Sequence, residues 1–181
     1  MRPLGLGWPN IVSAGRVLLV PVLVGLLLVE SRSTDYVAAA VFVAGALSDG
    51  IDGWLARRHA MTTSTGAWLD PLSDKLFVAV PIVTLVVLDR FPLWAAVVIV
   101  GREVAVSVLR WRLDARAVSM PASKVAKWKT GAQLLAVFLS ILPLSAAWDG
   151  TTLAVIVGAV ALTVYSGSEY FLTTRHRVEG G

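Results

Sequence analysis

Apolar residues run along this chain in six long stretches separated by short polar links, and the stretches set the element count. Their approximate limits are Ile11 to Val29, Tyr36 to Leu55, Trp68 to Leu88, Leu93 to Arg110, Trp128 to Leu144 and Thr152 to Leu172. Each approaches the roughly 20 residues that cover a 30 Å hydrocarbon core. The pattern therefore predicts an all-α integral membrane protein of six transmembrane helices, folded as a single polytopic domain over residues 1–181. Pro3, Pro9, Pro92 and Pro121 fall near helix starts, while Pro21, Pro81 and Pro143 fall within or near helix ends, where proline kinks or stops a helix.

Composition agrees with this reading. The 181 residues are 56% hydrophobic and only 15% charged, against roughly 25% charged in soluble domains. Cysteine is absent, which excludes disulfides and thiolate metal sites. The net charge of +4 does not point to nucleic acid, because the basic residues follow the membrane boundaries. With the N-terminus cytoplasmic, one side receives Arg2, Arg57, Arg58, Arg110, Arg112, Arg116, Lys124, Lys127, Lys129, Arg175 and Arg177. The other receives Arg32 and Arg90, among Glu30, Asp35, Asp89 and Asp149. The positive-inside rule then places both termini in the cytoplasm. A cleaved signal peptide is the competing reading of the first stretch, but no small-x-small cleavage pattern follows Val29, and removal would leave five spans.

Against this background one polar pattern stands out: D-x2-D-G-x2-A-R-x8-G-x3-D-x3-D, from Asp49 to Asp74. One acidic side chain at the centre of a membrane helix costs roughly 2.5–3.5 kcal/mol, so four clustered carboxylates point to chemistry. Asp49 and Asp52 are three apart at the cytoplasmic end of the second stretch, and Asp70 and Asp74 are four apart at the start of the third. Both spacings put the two side chains of a pair on one helical face. Brought together, the four would repel without cations between them. Asp oxygens suit Mg²⁺ or Mn²⁺, and a pair of such ions forms a clamp for in-line displacement at phosphorus. Gly53, Ala56 and Gly66 leave room beside the acids for a bulky nucleotide, and Arg57 adds a cation for phosphate oxygens. An isolated Asp-x2-Asp is more often a cap or a solvated surface; the whole pattern is far more specific.

The complete pattern resembles that of the CDP-alcohol phosphatidyltransferases, integral membrane enzymes of phospholipid synthesis. The resemblance implies a six-helix homodimer with a binuclear metal site facing the cytoplasm, in the cytoplasmic membrane of a bacterium. It implies that Asp49, Asp52 and Asp70 hold metal, and that Asp74 is the general base and also reaches the metal. It further implies that Gly53, Ala56, Arg57 and Gly66 line the CDP pocket with Asp49, Asp52 and Asp70. Leu69-Asp70-Pro71 with Asp74-Lys75, Gly101-Arg102-Glu103-Val104, Lys127-Trp128-Lys129-Thr130 with Gln133, and Pro9-Asn10 with Arg16 resemble the phosphatidylglycerophosphate synthase branch. Its substrates would be CDP-diacylglycerol and glycerol 3-phosphate. Ala126 and Ser13 depart from that branch, where Gly and Thr are common.

The helical positions also suit an anionic acceptor. Glu103, Ser107 and Arg110 share one face of the fourth stretch, with Arg102 about a quarter-turn away. Adjacent residues do not face each other, so Arg102 and Glu103 are each expected to need a partner on another helix. Lys129 and Gln133 share a face of the fifth stretch. Arg102, Arg110, Lys127 and Lys129 are thus candidates for holding the acceptor phosphate in a cationic wall beside the carboxylates. Arg112, Arg116 and Lys124 read instead as lysines and arginines snorkelling to anionic head groups. Tyr165, Ser168 and Glu169 give the sixth stretch a polar patch, and most tryptophans lie near predicted interfaces, as an aromatic belt would. Two other readings compete. One is the same transfer to inositol phosphate, serine or a second lipid; the other is a cation transporter, which the lack of acids on the opposite side disfavours.

Overall fold

The computed structural model describes the backbone of residues 8–59, 66–114 and 124–179 and, within these, the side chains of 15–48, 73, 75–109, 111–112 and 127–170. The described residues form α1 (Trp8–Leu28), α2 (Arg32–His59), α3 (Gly66–Val87), α4 (Leu93–Asp114), α5 (Lys124–Ile141) and α6 (Asp149–Glu179), with one 3-10 turn at Ala146–Trp148. No strand occurs among them. Each apolar stretch thus becomes one helix.

Local chemistry fixes the ends. α2 starts at Arg32 rather than Tyr36 because Ser31 and Thr34 cap it. Ser31 N donates to Thr34 Oγ1 at 3.3 Å, Thr34 Oγ1 donates to Ser31 O at 2.9 Å, and Asp35 N also donates to Ser31 O. These bonds satisfy groups that a bare helix start leaves open. α3 ends in a Schellman turn, with Asp89 left-handed at φ 56°. Arg90 N donates to Leu85 O at 2.8 Å and Asp89 N to Val86 O at 3.1 Å, the paired bonds of that motif. The turn delivers Arg90 to Asp35, Nη1 to Oδ1 2.9 Å. α5 stops at Ile141, short of Leu144, because Leu142 precedes Pro143 and is pushed out of the α region. α1 runs on through Pro21 and α3 through Pro81.

The helices fall into two compact units, Met1–Arg90 with Ser140–Pro143, and Phe91–Leu139 with Leu144–Gly181. In the first, α1 packs against both α2 and α3. Leu23 and Leu27 of α1, Ala38 and Phe42 of α2, and Phe77, Ile82 and Leu85 of α3 are buried. Leu23 and Leu27, Ala38 and Phe42, and Ile82 and Leu85 are three or four residues apart, which keeps each pair on one face. The Phe42 and Phe77 rings stack, centroids 5.2 Å apart and planes 4° from parallel. In the second unit α4 packs against α6. Small residues, Ala95 and Ala96 on α4 and Ala159 on α6, are buried there beside Ile99 and Ile156.

Polarity is arranged inside out. Leu18, Val37, Leu47, Val83, Val97, Val104, Leu135 and Val157 are exposed, whereas Arg16, Asp35, Lys129, Gln133, Thr163 and Ser166 are buried. Among the described residues, one helical stretch, Ala146–Tyr170, is long and apolar enough to cross a membrane; Gly15–Leu28 and Lys75–Val87 are shorter apolar helices. In α2, α4 and α5 charged residues interrupt the apolar run, and these are largely the residues of the candidate site.

Candidate active site

Asp49 and Asp52 lie on α2, Asp70 and Asp74 on α3, and Gly66 opens α3. The side chains of these four acids, with Ala56, Arg57 and Arg110, and the surroundings of Gly53 and Gly66, lie outside the described residues. No cluster of three metal-binding side chains occurs among the residues that are described.

What is described is how the two acid-bearing helices meet. Phe77 of α3 stacks on Phe42 of α2, and Gly45, one turn on from Phe42, receives the edge of the same ring. A Cβ at position 45 would lie 2.6 Å from Phe77 Cε2, a distance only glycine avoids. Asp49 follows Gly45 by four residues, about 6 Å of helix rise, and Asp74 precedes Phe77 by three, about 4.5 Å. Both acid pairs therefore begin one turn from the contact, on the side of the link that joins α2 to α3. Ser73, next to Asp74, is fully buried. Arg16 of α1 is also buried, at 5% exposure, and it is partnered.

The second unit holds a polar network across three helices. Arg102 Nη2 donates to Ser166 Oγ on α6 at 2.8 Å, and Arg102 Nη1 lies 3.2 Å from Glu103 Oε1. Lys129 Nζ of α5 donates to that same Glu103 oxygen. Gln133 Nε2, one turn along α5, donates to Thr163 Oγ1 of α6 at 2.8 Å, and Thr163 Oγ1 in turn donates a hydrogen bond to Ala159 O at 2.6 Å. Ser107 likewise donates to Glu103 O. Buried polar groups need such partners, because an unpaired one in apolar surroundings costs several kcal/mol by roughly the transfer scale.

These contacts bear on three expectations. Arg102 and Glu103 do pair with each other, because an arginine stem is long enough to turn back along its own helix, although each also has its partner on another helix. Lys127 and Lys129, grouped as phosphate candidates, diverge: Lys127 is exposed and Lys129 is buried against Glu103. The inward polar side of α6 is Thr163 and Ser166, whereas Tyr165, Ser168 and Glu169 are exposed. The interval Ala159, Thr163, Ser166 was the available signal, a four-then-three step that marks one helical face. Arg16 carried a signal as well, since an arginine within an apolar helix is costly unless it is used.

Comparison with known proteins gives a consistent answer. The family model described as CDP-alcohol phosphatidyltransferase matches residues 6–165. The chain is 36% identical over 164 residues to the probable phosphatidylglycerophosphate synthase of Mycobacterium tuberculosis (strain ATCC 25618 / H37Rv), covering 89% of this chain and 78% of that protein. It is 37% identical over 170 residues to the CDP-diacylglycerol–glycerol-3-phosphate 3-phosphatidyltransferase of Pseudomonas fluorescens, covering 90% and 87%. The protein of the same name from Bacillus subtilis (strain 168) is 35% identical over 179 residues, covering 90% and 92%.

Proposed function

Because the chain belongs to the CDP-alcohol phosphatidyltransferase family, we propose that it transfers the phosphatidyl group of CDP-diacylglycerol to glycerol 3-phosphate, giving phosphatidylglycerophosphate and CMP. It is a transferase, and the names of its relatives support this acceptor. The observation that carries the reading is the complete Asp49-to-Asp74 pattern on two helices whose described contact, Gly45 against Phe77, lies one turn from both acid pairs.

Four carboxylates in one such pattern suit hard divalent ions, so Asp49, Asp52, Asp70 and Asp74 would hold Mg²⁺ or Mn²⁺, two ions in this reading. Bound there, such ions neutralise the diphosphate and stabilise the departing nucleotide. The chain's own residues do the rest. Gly53, Ala56, Arg57 and Gly66 accommodate the cytidine diphosphate. Arg102 and Lys129 hold the acceptor's phosphomonoester, with Arg110 and Lys127 as further candidates on the same two helices. Asp74 accepts the proton of the 1-hydroxyl as that oxygen bonds to the phosphorus bearing the lipid. The bond from that phosphorus to the CMP oxygen breaks, and CMP leaves with the electron pair.

The inside-out polarity supports a membrane setting for the whole chain, as one domain of six spanning helices with its termini and active site on the cytoplasmic side. Trp94 and Trp111 are exposed near the two ends of α4, and 17 residues of helix separate them by about 26 Å, close to a bilayer's apolar thickness. Association as a homodimer belongs to the same proposal. Asp74→Asn tests the chemistry: turnover in liposomes should fall by about 10²–10⁴-fold, the usual contribution of a general base, while CDP-lipid binding is largely kept. Wild-type turnover by that variant would remove the base assignment.

A further inference from the structure

Arg102 lies with its stem along α6, and one glycine makes that possible. A Cβ at position 167 would sit 3.3 Å from both Cγ and Nε of Arg102 and 3.9 Å from its Cδ. The three atoms nearest to that point all belong to the Arg102 side chain, so it is the arginine that Gly167 makes room for. One residue earlier, the buried Ser166 takes the Nη2 hydrogen bond. The guanidinium is therefore fixed by the shape of position 167 and by the hydroxyl of position 166.

Two cations also meet at one place in the cluster: Arg102 and Lys129 share a single oxygen of Glu103. Arg102 Nε, buried, has no hydrogen-bond partner among the described residues, and a guanidinium offers five N–H donors in a fork that fits phosphate.

We propose that Ser166 and Gly167 are positioning residues for recognition of the acceptor: they form a seat on α6 that sets the reach and plane of the Arg102 guanidinium, and through it the affinity for the acceptor's phosphomonoester. This rests on the glycerol 3-phosphate reading above. Neither residue touches substrate. A methyl group at position 167 would push the arginine stem aside by a few tenths of an ångström, and loss of the Ser166 hydroxyl would free Nη2.

The test uses the purified full chain in liposomes, as wild type, Gly167→Ala, Ser166→Ala and Ser166→Thr, with steady-state kinetics for each substrate. Both alanine variants should raise KM for glycerol 3-phosphate about ten-fold, the usual scale for a hydrogen bond to a charged group. KM for CDP-diacylglycerol and kcat should stay within about two-fold, which separates positioning from general loss of structure. Ser166→Thr, which keeps the hydroxyl, should recover wild-type KM. If Gly167→Ala does not fold, the two Ser166 variants decide alone. An unchanged acceptor KM, or an equal loss on both substrates, overturns the seat while the acceptor reading stands. Wild-type protein that ignores glycerol 3-phosphate and turns over with another alcohol overturns both.

Discussion

Asp35 shows what a buried carboxylate needs in this chain: it is 1% exposed and lies 2.9 Å from Arg90. Asp49, Asp52, Asp70 and Asp74 put four carboxylates into one stretch of sequence whose cations are Arg57 and Arg58. Under the proposed function divalent ions would balance those charges, and this leads to a residue-scale prediction. Asp49→Asn or Asp70→Asn should raise the Mg²⁺ concentration for half-maximal rate by about ten-fold or more, the scale of removing a ligand or its support. CDP-lipid binding should weaken in parallel. Titrating Mg²⁺ into each variant while following CMP release checks both effects, and loss of nucleotide binding with an unchanged Mg²⁺ requirement would argue for a non-ligand role. At this scale the sequence displayed the acids plainly, because a carboxylate in an apolar run is conspicuous. Ser166 and Gly167 were hidden, since small residues are ordinary in such helices and only the path of Arg102 gives them meaning.

Between helices, glycine and phenylalanine decide how the acid-bearing pair is held. Gly45 admits the Phe77 ring, and the ring's other neighbour is Phe42. Gly45→Ala would force ring and helix apart, at a cost of about 1–3 kcal/mol for overpacking. The expected outcome is a lower thermal midpoint together with reduced turnover, because the displacement falls one turn from Asp49 and Asp74. A companion Phe77→Leu change should recover part of the midpoint in Gly45→Ala, since it removes the ring edge that collides. Measuring both midpoints and rates checks this, and an unaltered Gly45→Ala protein would show that the contact does not set the spacing. Helix number and order could be read from the apolar stretches. The ends could not, because they depend on side-chain caps such as Thr34 on Ser31, and on the Schellman turn at Asp89. Periodicity contains neither.

For the molecule as a whole, many large apolar side chains among the described residues are exposed while several charged and polar ones are buried, and the Asp49-to-Asp74 pattern sits on α2 and α3. Among the described residues, Ala146–Tyr170 meets length and composition for a span together; α2, α4 and α5 carry the charged residues named as site candidates. The division into two compact units was not visible in sequence, since it follows from which helices pack on α1 and which on α6, and apolar stretches do not encode their partners. The central claim is a metal-dependent exchange of CMP for glycerol 3-phosphate on a CDP-activated lipid. It is tested most directly by mixing the purified protein in liposomes with CDP-diacylglycerol and a panel of alcohols, with and without Mg²⁺, and measuring CMP. Release of CMP with glycerol 3-phosphate and Mg²⁺, matched by phosphatidylglycerophosphate and abolished by chelation, is the predicted result. CMP release that is indifferent to Mg²⁺, or that requires a different alcohol, would contradict it.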